Sequence, residues 1–237
     1  MAKIIIPDTI FGDPVDGAID RVLAGAQQNK PIIKPIINPN VQPLNGFIYV
    51  PSINLYVAKE KTLHGKDWDQ AQEELKNQNQ MMLPPYQFRE FLKFLRDSQN
   101  PEHIKIFKDI TEVKSPWRAE WINARFEKTG NKINMISENV LNNGKYITPN
   151  IKLDTYLIND RTPGISLDEW LDSNAKHGLP KSGINQGELS YWAPVDGRVS
   201  WFVAGSDRTC LICHWDRSFT HSVLGVRACR EATAGKI

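Results

Sequence analysis

The chain has 237 residues, with apolar and charged fractions of 41% and 24% and a formal net charge of +2. Such a length can bury a self-sufficient core, and such a composition is that of a folded domain. The near-balanced, interspersed charge gives no basis for a nucleic-acid or membrane-surface partner, and no apolar run is long enough to span a bilayer. The three cysteines all fall in the last thirty residues and make no disulfide framework. The N-terminus lacks the basic, apolar and cleavage regions of a signal peptide, so synthesis into a reducing interior is expected.

Residues 1–44 read as an N-terminal arm. Val15, Ile19, Val22 and Leu23 could line one side of a short helix between Gly12 and Gly25. Prolines 31, 35, 39 and 43 then favour an extended connection, because proline at that spacing forbids both a continuous helix and a central strand. Ile32, Ile33, Ile36 and Ile37 within it give the arm something to pack with, on its own domain or on a partner.

Residues 45–237 read as one α+β domain. Gly46 to Lys59 is rich in β-branched and aromatic residues and reads as two strands broken at Pro51. Asp67 with Gln70 forms a capping box ahead of a helix whose buried side carries Trp68, Ala71 and Leu75. Pro84 and Pro85 open a second helix with Phe88, Phe91, Leu92 and Leu95 at i, i+3, i+4, i+7. Trp117 to Ile136 predicts a hairpin turning at Thr129, Gly130 and Asn131, and Ile151 to Leu157 alternates like a strand. Ile165 to Leu171 is expected to be a short helix or turn that drops Trp170 into a core. Gly183 to Ala193 and the segment from Trp201 supply further strands, separated by a turn at Pro194 to Gly197.

The last forty residues hold the functional signal. Ala204, Ser206 and Arg208 alternate with Val203, Gly205 and Asp207. After a slip at Thr209, Leu211, Cys213 and Trp215 alternate with Cys210, Ile212 and His214. Successive strand residues point to opposite faces, so one set belongs to a packed side and the other to an open one. The open set mixes an aliphatic, a glycine, a carboxylate, a thiol and an imidazole, whereas a merely solvated face selects Lys, Glu, Thr and Ser.

With WF at 201–202, A-x-S-x-R at 204–208, L-x-C-x-W at 211–215, Ser218 and LGVRA at 224–228, this ending resembles the variable region of a diversity-generating retroelement variable protein, of the archaeal or archaeal-virus kind. The resemblance implies a C-type lectin fold of the formylglycine-generating-enzyme-like variant, with two helices and several short antiparallel strands. It also implies a non-catalytic ligand-binding role, in which adenine-directed mutagenesis diversifies residues of about 200–228. Carried over by position, the ligand-binding variable sites are Val203, Gly205, Asp207, Cys210, Ile212, His214, Phe219 and His221, with Asp216, Arg217 and Val223 beside them. Trp201, Phe202, Arg208, Leu211, Trp215, Leu224, Val226 and Arg227 form the implied scaffold, and Phe219, Ile212, Val203 and His214 are the expected anchors. Arg217 stands where the family pattern has proline, and Thr209 where it has alanine. No cofactor and no catalytic residue are implied. The implied partner is an unidentified protein or cell-surface ligand, without nucleic acid or membrane insertion, met from a virus particle or a cell surface.

Competing signals share the same residues. Cys210-x-x-Cys213-His214 has the spacing of c-type haem attachment, and also of a redox pair. Strand alternation turns the two thiols to opposite faces, which also opposes a zinc site made with His214 and His221. A formylglycine-generating type of enzyme using Cys210 and Cys213 is a further alternative, by fold analogy alone. No carboxylate and asparagine set accompanies Trp215 and Asp216, so the calcium-dependent sugar site of lectins is not expected. Cys229 reads as a buried thiol, and His64, His103 and His177 as surface or capping residues.

Overall fold

The computed structural model describes residues 42–232 and, before them, the backbone of two paired short strands, β1 (Thr9–Ile10) and β2 (Asp13–Pro14). The chain divides into a unit of Met1–Ile36 and a unit of Ile37–Ile237. The helix expected between Gly12 and Gly25, and the proline-spaced segment as far as Val41, lie outside the described residues.

The second unit is mixed α and β. Strands β3 (Phe47–Val50) and β4 (Leu55–Ala58) flank Pro51 and join β16 (Ala228–Glu231) and β5 (Met81–Met82) in a four-stranded antiparallel sheet, in the order β3-β4-β16-β5. Helix α1 (Trp68–Asn77) begins at Asp67, whose carboxylate accepts the Gln70 backbone N–H at 2.8 Å while the Gln70 side chain accepts the Asp67 N–H at 3.3 Å. Helix α2 (Pro85–Asp97) starts at its predicted prolines.

Four helices are found among the described residues: the two expected after β4, one where a short helix or turn was expected over Ile165 to Leu171, and one that was not anticipated. Helix α3 (Pro101–Thr111) is opened by Asn100, which accepts the Glu102 N–H at 2.9 Å, and by Pro101; it buries Ile106 and Ile110, four residues apart. Helix α4 (Leu167–Asp172), capped by Ser166, brings Trp170 into the core, where its indole N–H donates to Gly178 O at 2.9 Å.

The large sheet runs β10 (Asn150–Lys152), β7 (Lys132–Ile136), β6 (Arg118–Thr129), β13 (Val199–Ala204), β14 (Thr209–Trp215), β12 (Leu189–Trp192), β11 (Arg161–Ile165). Strand β6 is long enough to serve three partners. One edge takes β13, and the other takes β15 (Leu224–Val226) in parallel along Ala119 to Trp121 and then β7 from Arg125 onward. The β6–β7 hairpin turns at Gly130 and Asn131 as predicted, with φ +60° at Gly130. A separate hairpin joins β8 (Val140–Asn142) to β9 (Lys145–Ile147).

The strand expected over Ile151 to Leu157 stays on β7 only as far as Leu153, whose N–H donates to Ile133 O at 2.9 Å. Leu157 is again buried in the core, but there the backbone has left the sheet and the Leu157 N–H donates to Pro180 O at 2.7 Å. Local alternation recorded burial there, not ladder pairing.

The sheet separates two apolar cores. On one side Phe202, Leu211, Cys213 and Tyr191 meet Phe88, Phe91, Leu92 and Leu95 of α2 and Trp170 of α4. On the other, Trp201, Val199, Cys210, Ile212, Ala119 and Trp121 meet Trp68, Ala71 and Leu75 of α1. Each fully buried side chain of this size contributes about 1.5–3 kcal/mol. The α1 helix covers only part of its side, and the uncovered remainder is where the predicted site lies.

Candidate functional site

Strands β13 and β14 pair Val203 with Cys210, Phe202 with Leu211 and Trp201 with Ile212, so Trp201, Val203, Cys210 and Ile212 share one face and Phe202 and Leu211 the other. The parallel neighbour β12 places Ser190 and Trp192 beside Cys210 and Ile212 on that same face. Beyond Ile212 the ladder slips, and Val199 pairs with Trp215. Three residues of β14 thus span what two of β13 span, and such a bulge lets consecutive side chains leave on the same side.

That slip corrects one expectation. Simple alternation groups Trp215 with Leu211 and Cys213 on the packed side. Instead its indole stacks on Trp201, with ring centres 4.3 Å apart and planes 20° apart, while His214 meets the edge of Trp192 at 5.5 Å. Trp201 likewise belongs to the same face as the predicted variable residues and opposite to Phe202, although it is only 4% exposed.

The loop from Asp216 to Val223 completes the surface. Phe219 stands edge-on to both stacked indoles, at 5.6 Å from Trp201 and 5.5 Å from Trp215. His221 lies 4.6 Å from Trp117, which in turn meets Trp201 at 6.1 Å. Five of the chain's seven tryptophans, Trp117, Trp121, Trp192, Trp201 and Trp215, therefore stand on this one face. Val203, Trp117, Trp192, His214, Trp215 and Phe219 are half-buried and His221 is exposed, so the cluster reaches solvent.

The loop is held by named contacts. The Asp216 carboxylate accepts the Ser218 backbone N–H at 3.0 Å and hydroxyl at 2.8 Å and pairs with Arg198 at 2.7 Å, and these donors hold it below the ordinary carboxylate range. Arg217 pairs with Asp69 at the start of α1, its guanidinium lies over the Trp68 ring at 5.7 Å, and its carbonyl accepts the Trp68 N–H at 3.0 Å. Arg217 therefore pins the loop to the domain, a role its place in the variable set does not anticipate. At the loop's far end the Lys61 ammonium donates to Val223 O at 2.7 Å and Ala119 O at 2.9 Å.

Gly205 and Asp207 sit in the turn between β13 and β14, where the Gly205 N–H donates to Arg208 O at 2.9 Å. Asp207 is exposed, and its pairing with Arg208 at 2.7 Å holds its carboxyl below the ordinary range. Arg208, expected as scaffold, is itself exposed and binds only this neighbouring carboxylate among the described residues. Arg227 does carry structure. It is 3% exposed and donates to Glu120 at 3.0 Å, to Ala58 O at 2.9 Å and to Lys59 O. Leu224 and Val226 are fully buried against α1.

Two predicted contact residues are less open than expected. Cys210 and Ile212 are 7% and 8% exposed, because Trp192 and the Trp201 cluster crowd them. Burial pushes the Cys210 thiol up, and its hydrogen bonds to Trp192 and Ser190 only partly offset this. Cys213 and Cys229 are buried and pushed up much further. Cys210 and Cys213 lie in different cores on opposite sides of the sheet, so they do not present two thiols to one group. Among the described residues no three His, Cys, Asp or Glu side chains are grouped so as to hold a metal ion.

Sequence reading missed Trp117, Trp121 and Trp192 as members of this surface. Trp121 lies on β6 and Trp117 immediately ahead of that strand, and both join the same aromatic cluster. Their arrival beside Trp201 depends on β6 pairing with β13, across some eighty residues of chain. Finally, the indole N–H groups of Trp201 and Trp215 are buried and have no hydrogen-bond partner among the described residues. No protein-family model, no curated protein and no solved structure matches the chain.

Proposed function

We propose that this is a non-catalytic ligand-binding display protein with a C-type-lectin-like domain, whose segment of about residues 200–228 is diversified by retroelement mutagenesis. The observation that carries this reading is the gathering of Val203, Cys210, Ile212, His214, Phe219 and His221 onto one partly open aromatic surface, while Phe202, Leu211 and Cys213 pack the opposite core. A site that accepts many residue types needs a backbone whose stability rests elsewhere, and a two-sided strand pair supplies that separation.

The surface chemistry suits binding. Indole faces and aliphatic groups provide anchors, and the nearby carboxylates Asp69, Asp207 and Asp216 are each paired with an arginine. The decisive test is to sequence the DNA flanking the gene. The expected finding is a near-copy of the segment encoding Val203 to Val223, differing only where the copy has adenine, together with a reverse transcriptase gene. Genomic flanks with neither would refute diversification and reduce the alternation to ordinary strand patterning.

A further inference from the structure

A loop whose side chains are diversified cannot depend on them for its path. In residues 216–223 the side-chain contacts, Asp216 with Ser218 and Arg198, Arg217 with Asp69, and the rings of Phe219 and His221 on tryptophans, change with every substitution. The main-chain contacts do not, and they converge on one stretch outside the variable positions, residues 61–68 between β4 and α1. The Trp68 N–H, a first-turn donor with no partner inside its helix, bonds Arg217 O at 3.0 Å. His64 Nδ1 stands 3.2 Å from Ser222 O, and the Lys61 ammonium reaches Val223 O at 2.7 Å. Just past the loop the Gly65 N–H donates to Leu224 O at 3.1 Å, and Thr62 exchanges both main-chain bonds with Val226, at 2.8 and 2.9 Å. A Cβ on Gly225 would lie 2.8 Å from Thr62 O, so this approach requires glycine there. Between Thr62 and His64, Leu63 takes φ +52°, a costly conformation for a bulky residue, held where both neighbours bond the loop or its continuation.

Resting on the reading of this face as a diversified binding site, we infer that residues 61–68 are a fixed cradle that sets the path of the variable loop through its main chain, with Lys61 as the positioning residue. A backbone carbonyl stays an acceptor whichever residue carries it, so diversification changes the chemistry of the surface and leaves the cradle's partners in place. Lys61 bears most of this because it is the charged donor, and charge-assisted bonds are roughly twice as strong as neutral ones. It also bridges Val223 O to Ala119 O of β6 at 2.9 Å, which ties the loop's end to the large sheet. The pairing of Arg217 with Asp69 is particular to this chain, whereas the bond from the Trp68 N–H to Arg217 O is common to every variant of the loop.

The test is hydrogen exchange of the full ¹⁵N-labelled chain, read at the Thr62, Gly65 and Trp68 amides, each of which donates to a carbonyl of the loop or of β15. Lys61→Met is expected to speed exchange at Gly65 and Thr62 about tenfold, the loss of a charge-assisted hydrogen bond, while the amides of α2 keep their rates. Lys61→Arg, which keeps a charged donor, is expected to restore the slow exchange. Arg217→Ala combined with Phe219→Ala and His221→Ala is expected to leave all three amides at their wild-type rates. Fast exchange at Trp68 and Gly65 in that loop variant overturns the inference, because the path would then be held by the loop's own side chains. Acceleration of α2 together with the cradle in Lys61→Met overturns it too, since Lys61 would then act on the whole fold and not on the loop. If Lys61→Met does not fold, the loop variant and Lys61→Arg decide by the same rates. Whether the segment is diversified is decided separately by the flanking DNA, so either idea can fail without the other.

Discussion

Replacing Phe202 by alanine measures which side of β13 and β14 holds the domain together. The Phe202 ring is fully buried, 5.4 Å from Phe88 of α2 and stacked on Trp170 of α4 at 6.2 Å. Truncating such a ring removes its transfer free energy and leaves a cavity, at a cost of about 3–5 kcal/mol. In a domain of this size each kcal/mol lowers the melting temperature by about 2–4 °C, so Phe202→Ala is expected to lower it by about 6–20 °C. On the other face, His214→Ala with Phe219→Ala removes partly exposed rings whose edge contacts are worth about 0.5–1.5 kcal/mol each. That pair should shift the midpoint by a few degrees, and Ile212→Ala, being more buried, by about 2 kcal/mol at the low end of core truncations. Circular dichroism melts of the three variants decide it. If the His214 and Phe219 pair costs as much as Phe202→Ala, the aromatic face is core and cannot be a tolerant binding surface.

Further outcomes follow from the buried charges and thiols. Glu120 is 1% exposed and receives Arg118 and Arg227, each at 3.0 Å, so Glu120→Gln should destabilise by about 3–5 kcal/mol in chemical denaturation by stranding two guanidiniums. Burial opposes its ionisation, but those two arginines outweigh burial and hold its carboxyl below the usual range; its contribution is therefore present above about 4.5 and lost as pH falls below that, a dependence absent in Glu120→Gln. At Lys61 stability also rises with pH, but because the charged form is the unfavourable one: burial first, then Arg118, lower it from 10.5 to about 8, so its charged form opposes folding below pH 8 and that opposition is relieved as pH rises from about 8 to 10.5. Wild-type stability relative to Lys61→Met should accordingly climb across that window, and a flat difference would contradict the burial of the amine. A thiol reagent at pH 8 should find Cys210 first and reach Cys213 and Cys229 only on unfolding; equal rates for Cys210 and Cys213 would show that they are not on opposite sides of the sheet.

What the sequence by itself determined was local. Asp67 with Gln70 and the Pro84–Pro85 pair set helix starts because capping and the fixed proline φ act within a few residues. The alternation through Val203, Cys210 and Ile212 put these residues on one face and Phe202 and Leu211 on the other because a strand's side chains keep a period of two, but Cys210 and Ile212 are buried on theirs and not open. Helix α3 was equally local, written in Asn100, Pro101, Ile106 and Ile110. Tertiary structure alone decided what no short window encodes. The bulge beyond Ile212 turned Trp215 onto Trp201, and pairing between β6 and β13 brought Trp121 alongside. Packing of the loop on α1 made Arg217 a tether, and exposure left Arg208 at the surface. Register and long-range pairing are settled by the competition of whole faces for burial, and that free energy belongs to the assembled sheet and not to any segment of it.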